Sequence, residues 1–191
     1  FAAREAKRGN HIITLPIEHH AVGATVEQLR ELHGFEVTFV EVDQYGMVDP
    51  DAIGRALRPD TILISVMYAN NEVGTVQPLA EIGAMARARG IPFHTDAVQA
   101  GGQLNLDVDR LQVDLLALSA HKFYGPKGAA ALYLRKGVRI IPQIDGGIQE
   151  GGRRAGTENV PAIAGLGAAC EIAAQEMEDN YRHMLRLRDR L

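Results

Sequence analysis

Residues 119–128, Ser-Ala-His-Lys-Phe-Tyr-Gly-Pro-Lys-Gly, set His121 and Lys122 side by side directly behind the apolar run Val113–Leu118. A lysine at that exit is either a solvated surface charge, as most lysines are, or an amine held for chemistry. Three other apolar runs also end in reactive side chains. Glu18-His19-His20 follows His11–Ile17, Asn70-Asn71-Glu72 follows Thr61–Tyr68, and Thr95-Asp96-Ala97-Val98-Gln99 follows Ile91–His94. In an open parallel sheet, ligands bind beyond the carboxyl ends of the strands, so four such sets converge on one edge.

An amine, a carboxylate, an imidazole and carboxamides together fit pyridoxal phosphate. That cofactor takes a lysine for a Schiff base and a carboxylate that keeps its ring nitrogen protonated. Lys122 is expected as a buried amine, made nucleophilic by desolvation. Ser119 and His121, two apart on one side of an extended segment, can donate to a phosphate. His19 can stack on the ring, and Gln99 or Asn71 can bond its phenolic oxygen.

Each residue also has a plainer reading. Asp96 alone fits a turn or a helix N-cap, and only its company with Gln99 and Lys122 lifts it. Glu18, His19 and His20 with His94 and Asp96 raise a metal site, but strand alternation leaves no clear third ligand, and no metal is expected. Asn70 and Asn71 fit a turn; the reading assigns structure to Asn70 and the site to Asn71. Thr157 in Thr-Glu-Asn-Val fits a helix N-cap. The Gly146–Gly152 cluster lacks nucleotide-loop spacing and is read as a tight crossing near a subunit boundary.

The elements that must position these groups alternate in kind. Strands are expected at 11–17, 35–42, 61–68, 91–96, 113–119 and 129–135, and helices at 24–34, from Pro50, at 78–90 and from Pro161 onward. Gly34 closes the first helix, and Asp49 caps the second. Continuous apolar strands separated by helices predict an α/β fold with a mostly parallel sheet covered on both faces. In the last helix, Ile163, Leu166, Cys170, Ala173 and Met177 define one apolar stripe, and Cys170 is expected in the core.

Composition bounds the partners. The chain has 191 residues, 46% hydrophobic and 23% charged, enough for a packed core. Its net charge of −4, with basic residues scattered, argues against nucleic-acid binding. No apolar run approaches a membrane span. A single cysteine excludes an internal disulfide and fits a reducing, cytoplasmic setting. Phe1 at the start and a helical pattern at the finish are read as an interior segment of something longer.

At these residues the sequence resembles the cysteine desulfurases, pyridoxal phosphate enzymes of the aminotransferase class V superfamily. The similarity is carried by "EHHAV", "YANNEVGTVQP", "HTDAVQ", "SAHKFYGPKG" and "GGRRAGTENVPAIAG". It is nearest to the branch serving iron–sulfur cluster assembly. The resemblance implies a fold-type I large domain over 1–160, incomplete at its start, with the helix of 161–191 leading toward a smaller C-terminal domain. It implies Lys122 as the Schiff-base lysine, Asp96 as the ring-nitrogen partner and His19 as the stacking and acid–base group. Gln99 and Asn71 match cofactor-oxygen and substrate contacts, and Ser119 and His121 match phosphate ligands. Thr157 matches a residue reaching the phosphate of a neighbouring subunit, hence a homodimer.

The implied reaction converts L-cysteine to L-alanine and an enzyme persulfide, with an iron–sulfur scaffold protein as sulfur acceptor. The family's nucleophilic cysteine and carboxylate-binding arginine would lie beyond Leu191, and a phosphate-cradling turn before Phe1. Another class V enzyme, an aminotransferase or lyase, would share Lys122 and Asp96. An inactive dimerisation or scaffold segment is the reading from a different class.

Overall fold

The computed structural model describes all 191 residues. Six strands form one sheet: β1 (His11–Thr14), β2 (Glu36–Phe39), β3 (Thr61–Ser65), β4 (Phe93–Asp96), β5 (Leu115–Ser119) and β6 (Ala130–Leu134), in the order β2-β1-β3-β4-β5-β6. All neighbours run parallel except β5 and β6. The expected α/β architecture is therefore present, and each strand falls inside its expected range. The strands are shorter than the apolar runs, although backbone bonds to β4 continue past the end of β3, from the Val66 N–H to the His94 carbonyl at 3.1 Å and from the Tyr68 N–H to the Asp96 carbonyl at 2.9 Å.

The helices are α1 (Ala2–Glu5), α2 (His20–His33), α3 (Pro50–Ala56), α4 (Leu79–Ala88), α5 (Gln149–Gly152) and α6 (Val160–Arg188). Gly34 ends α2 in the left-handed region at φ 66°, where a side chain would be strained. Asp49 caps α3 by accepting from the Asp51 N–H at 2.9 Å, with Pro50 opening the helix.

Strand alternation divides the core. Ile13, Leu15, Ile64, Val66, Phe93 and Leu116 pack on one face with Ile53 of α3 and Leu79, Ile82 and Ala86 of α4. Ile12 of β1 and its neighbour Leu63 of β3 turn the other way, onto Val26 of α2 and Phe35. Burying each such large side chain is worth roughly 1.5–3 kcal/mol, so both layers lock the register.

Helix α6 departs from the sequence reading. Its buried residues are Ala162 and Ala169, while Ile163 is 46% exposed and Cys170 is exposed, not in the core. The cause is backbone proximity. A Cβ on Gly125 would lie 3.1 Å from Ala169, and one on Gly165 would lie 2.9 Å from Pro126. Small residues make that approach. Of the expected stripe, Leu166 packs half-buried beside Ala162 and Ala120, Ala173 and Met177 are half-buried, and Ile163 and Cys170 turn outward.

Candidate cofactor site

The strand order makes β1, β3, β4 and β5 consecutive neighbours, so their carboxyl tips form one continuous edge. Adjacent strands lie about 4.8 Å apart, which keeps the four polar sets within a single ligand's reach.

Lys122 and His121 sit on a 3-10 turn, Ala120–Phe123, immediately after β5. The turn is anchored from below by buried Ala120 and Phe123 and is closed by Tyr124 at φ 66°. Lys122 is exposed on the rim, contrary to the expected burial, because the turn lifts it off the strand. The same turn replaces the expected extended segment, yet it still joins Ser119 and His121: the serine Oγ lies 2.9 Å from His121 Nδ1.

Asp96 is the last residue of β4, and its Oδ1 accepts from the Val98 N–H at 2.9 Å. That bond turns the chain so that Gln99 follows in the next turn, half-buried. Two residues earlier, His94 bonds Ser65 Oγ of β3 through Nδ1 at 2.8 Å. Burial pushes the His94 imidazole below its usual range, and the Asp96 charge opposes that.

His19 is the N-cap of α2, with Nδ1 accepting from the Ala21 N–H at 3.1 Å. A neutral ring in that bond carries its proton on Nε2. His20 starts the helix, its ring centroid 6.2 Å from that of His19. Glu18, His19, His94 and Asp96 do not converge as metal ligands.

Asn70 is buried and structural, as expected: its Oδ1 accepts from Glu72 and Val73, and its Nδ2 donates to the Ile17 carbonyl at 3.0 Å. That leaves Asn71 exposed at the turn. Thr157 lies in the exposed segment before α6 and bonds none of the others; the cap of α6 is Asn159, whose Oδ1 takes the Ala162 N–H at 3.3 Å. Asparagine wins the cap because the helix begins at Val160, three residues past Thr157.

One residue of note escapes a functional reading of the sequence except as a metal candidate. Glu18 Oε1 accepts from the Met67 N–H at 2.6 Å, while Oε2 is buried without a partner. Burial pushes this carboxyl up to about 8; the Met67 hydrogen bond works against that, and the Asp96 charge adds to it. An acidic residue immediately behind an apolar run is its one sequence trace.

The aminotransferase class V family profile matches residues 1–191. The chain belongs to that family. It is 59% identical over 191 residues to a protein of Methanosarcina thermophila named cysteine desulfurase IscS, covering all of this chain and 46% of that one. A protein of the same name from Dictyoglomus turgidum is 54% identical over 182 residues, covering 95% of this chain and 46% of that one. This class V chain thus spans about half the length of the curated relatives it matches. Among solved structures, a NifS-like protein superimposes with a TM-score of 0.94 at 44% identity, over 99% of this chain and 52% of that one. A structure of SspA in complex with cysteine gives 0.84 at 44% identity, over 89% and 49%. No helix of this class V chain is long and apolar enough to cross a membrane.

Proposed function

We propose that the full-length protein is a pyridoxal-phosphate-dependent cysteine desulfurase and that these 191 residues carry most of its cofactor seat. The observation that carries this reading is the delivery of His19, Asn71, Asp96 with Gln99, and Ser119 with His121 and Lys122 by four adjacent strand tips at one edge. Relatives named cysteine desulfurase at 59% and 54% identity support it. We read residues 1–160 as the large domain and 161–191 as the helix leading toward a smaller one.

The donor set fits the cofactor. A carboxylate for the ring nitrogen and a primary amine for the aldehyde come from neighbouring strands, β4 and β5. Between Ser119 and His121, either assignment of the shared proton leaves one donor for a phosphate: the serine hydroxyl, or the histidine Nε2–H. When bound, pyridoxal phosphate supplies an electron-withdrawing ring that stabilises negative charge beside the substrate nitrogen.

The chain's own residues do the rest. Lys122, exposed on its turn, holds the cofactor through its amine. Asp96 keeps the carboxylate oxygen not used by Val98 for the ring N–H. His19 covers the ring and can give or take a proton at Nε2. The Gln99 and Asn71 carboxamides donate to the phenolic oxygen and orient the substrate. Thr157 reaches toward the phosphate in a neighbouring subunit of a homodimer. The substrate is L-cysteine, whose sulfur passes to an enzyme thiol outside these residues and leaves alanine; an iron–sulfur scaffold protein in the cytoplasm takes the sulfur onward.

Incubating the full-length protein with L-cysteine and a reductant tests this. Equal amounts of alanine and sulfide are expected. Loss of the amino group with sulfur retained would instead mark an aminotransferase, and no turnover despite bound cofactor would mark an inactive member.

A further inference from the structure

We propose that Glu18 is a positioning residue of this site: its carboxyl ties the exit of β1 to the exit of β3 and so holds His19 at the edge shared with Asp96 and Lys122. The proposal rests on the cofactor-seat reading above. The chain between β1 and α2 is short, and His19 must serve there as N-cap while presenting its ring. Two bonds from the β3 side fix this stretch. Asn70 Nδ2 donates to the Ile17 carbonyl at 3.0 Å, and the Met67 N–H donates to Glu18 Oε1 at 2.6 Å. They grip the two residues that precede His19.

The second carboxyl oxygen sets the protonation state that suits the clip. Oε2 is buried with no donor near it. An ionised carboxylate oxygen without a donor is costly to bury, whereas a carboxylic acid is far less so. Burial, with a lesser contribution from the Asp96 charge, raises the group to about 8, so at neutral pH most of the protein carries the proton. Of the charged groups, Asp96 is the one whose charge reaches Glu18; His19 and His20 lie on its own segment, and on the β3 exit Tyr68 bonds the Asn105 carbonyl and Glu72 is exposed. A neutral Glu18 leaves Asp96 as the single carboxylate available to a protonated ring nitrogen. Ionising Glu18 puts a second negative charge near Asp96 and draws water to the buried Oε2, which loosens the clip.

The test is pyridoxal phosphate affinity of the full-length apoprotein, read by cofactor fluorescence at about pH 7 and about pH 9, for wild type, Glu18→Ala and Glu18→Gln. At pH 7, Glu18→Ala should bind roughly tenfold more weakly, the effect of one lost buried hydrogen bond. Glu18→Gln keeps an acceptor for Met67 without a charge and should stay within about twofold of wild type. Between the two pH values, the ratio of wild-type to Glu18→Gln Kd should rise, a change that a purely structural glutamate would not give. Melting of the apoproteins supplies a cofactor-free check. A carboxyl raised in the folded state stabilises fully below its unfolded value and less as pH climbs through about 8. Wild type should therefore lose stability relative to Glu18→Gln over that range.

Equal affinities for all three proteins, with a pH-independent wild-type to Glu18→Gln ratio, would overturn the proposal and leave the seat intact. Should Glu18→Ala fail to fold, the Glu18→Gln ratio decides alone. A wild type that binds no cofactor would overturn the seat reading and this proposal together.

Discussion

Ser119 Oγ and His121 Nδ1 lie 2.9 Å apart, across the point where β5 gives way to the 3-10 turn that carries Lys122. The pair shares one proton and has one donor left over, which suits a phosphate better than it suits a packed interior. Ser119→Ala and His121→Ala should each weaken pyridoxal phosphate binding by about tenfold, the range of one charge-assisted hydrogen bond. Equilibrium binding checks it, and the double variant should lose less than the sum because the two act as a unit.

The turn itself depends on a close approach. A Cβ at Gly125 would sit 2.8 Å from the Ala120 Cβ and 3.1 Å from that of Ala169 in α6. Gly125→Ala should destabilise the protein by about 1–3 kcal/mol, the usual penalty of overpacking. It should also weaken cofactor binding, since Ala120 begins the turn that bears Lys122. Denaturant unfolding and cofactor titration of the same variant separate the two effects.

A pH effect follows from His11, which is fully buried in β1 between Thr61 Oγ1 and Thr38 Oγ1, each at 2.8 Å. Burial, and then the Arg58 charge, hold its imidazole below the usual range. A histidine lowered in the folded state contributes stability present above about pH 6.5 and lost as pH falls toward its folded value. His94 acts in the same direction, and Glu18 in the opposite one, so the net curve mixes them. The difference between wild type and His11→Gln isolates His11. The wild-type advantage in unfolding free energy, read by denaturant titration, should shrink between about pH 7.5 and pH 5.5, with a slope of at most about 1.4 kcal/mol per pH unit.

Much of this is readable in the sequence because each strand tip is marked by a change from apolar to polar residues, and a parallel sheet sends those tips to one edge. Asp49, Gly34 and Asn70 act locally as their types demand. The failures are tertiary. Hydrophobic periodicity picks out the stripe Ile163, Leu166, Cys170, Ala173 and Met177, of which Leu166, Ala173 and Met177 are half-buried but Ile163 and Cys170 face out. Ala162 and Ala169 are the buried contacts, because closeness to Gly125 and Pro126 decides the face. Lys122 is exposed because a 3-10 turn, invisible to strand alternation, intervenes. Glu18 is legible as an acid, but its burial and its bond to Met67, 49 residues away, are not.

The most direct test of the central claim is the near-visible absorption of the full-length protein with pyridoxal phosphate, wild type against Lys122→Ala, before and after L-cysteine. A cofactor band that requires Lys122 and shifts on adding L-cysteine is the predicted result. A folded wild type with no such band, or a band that Lys122→Ala retains unchanged, would contradict the account.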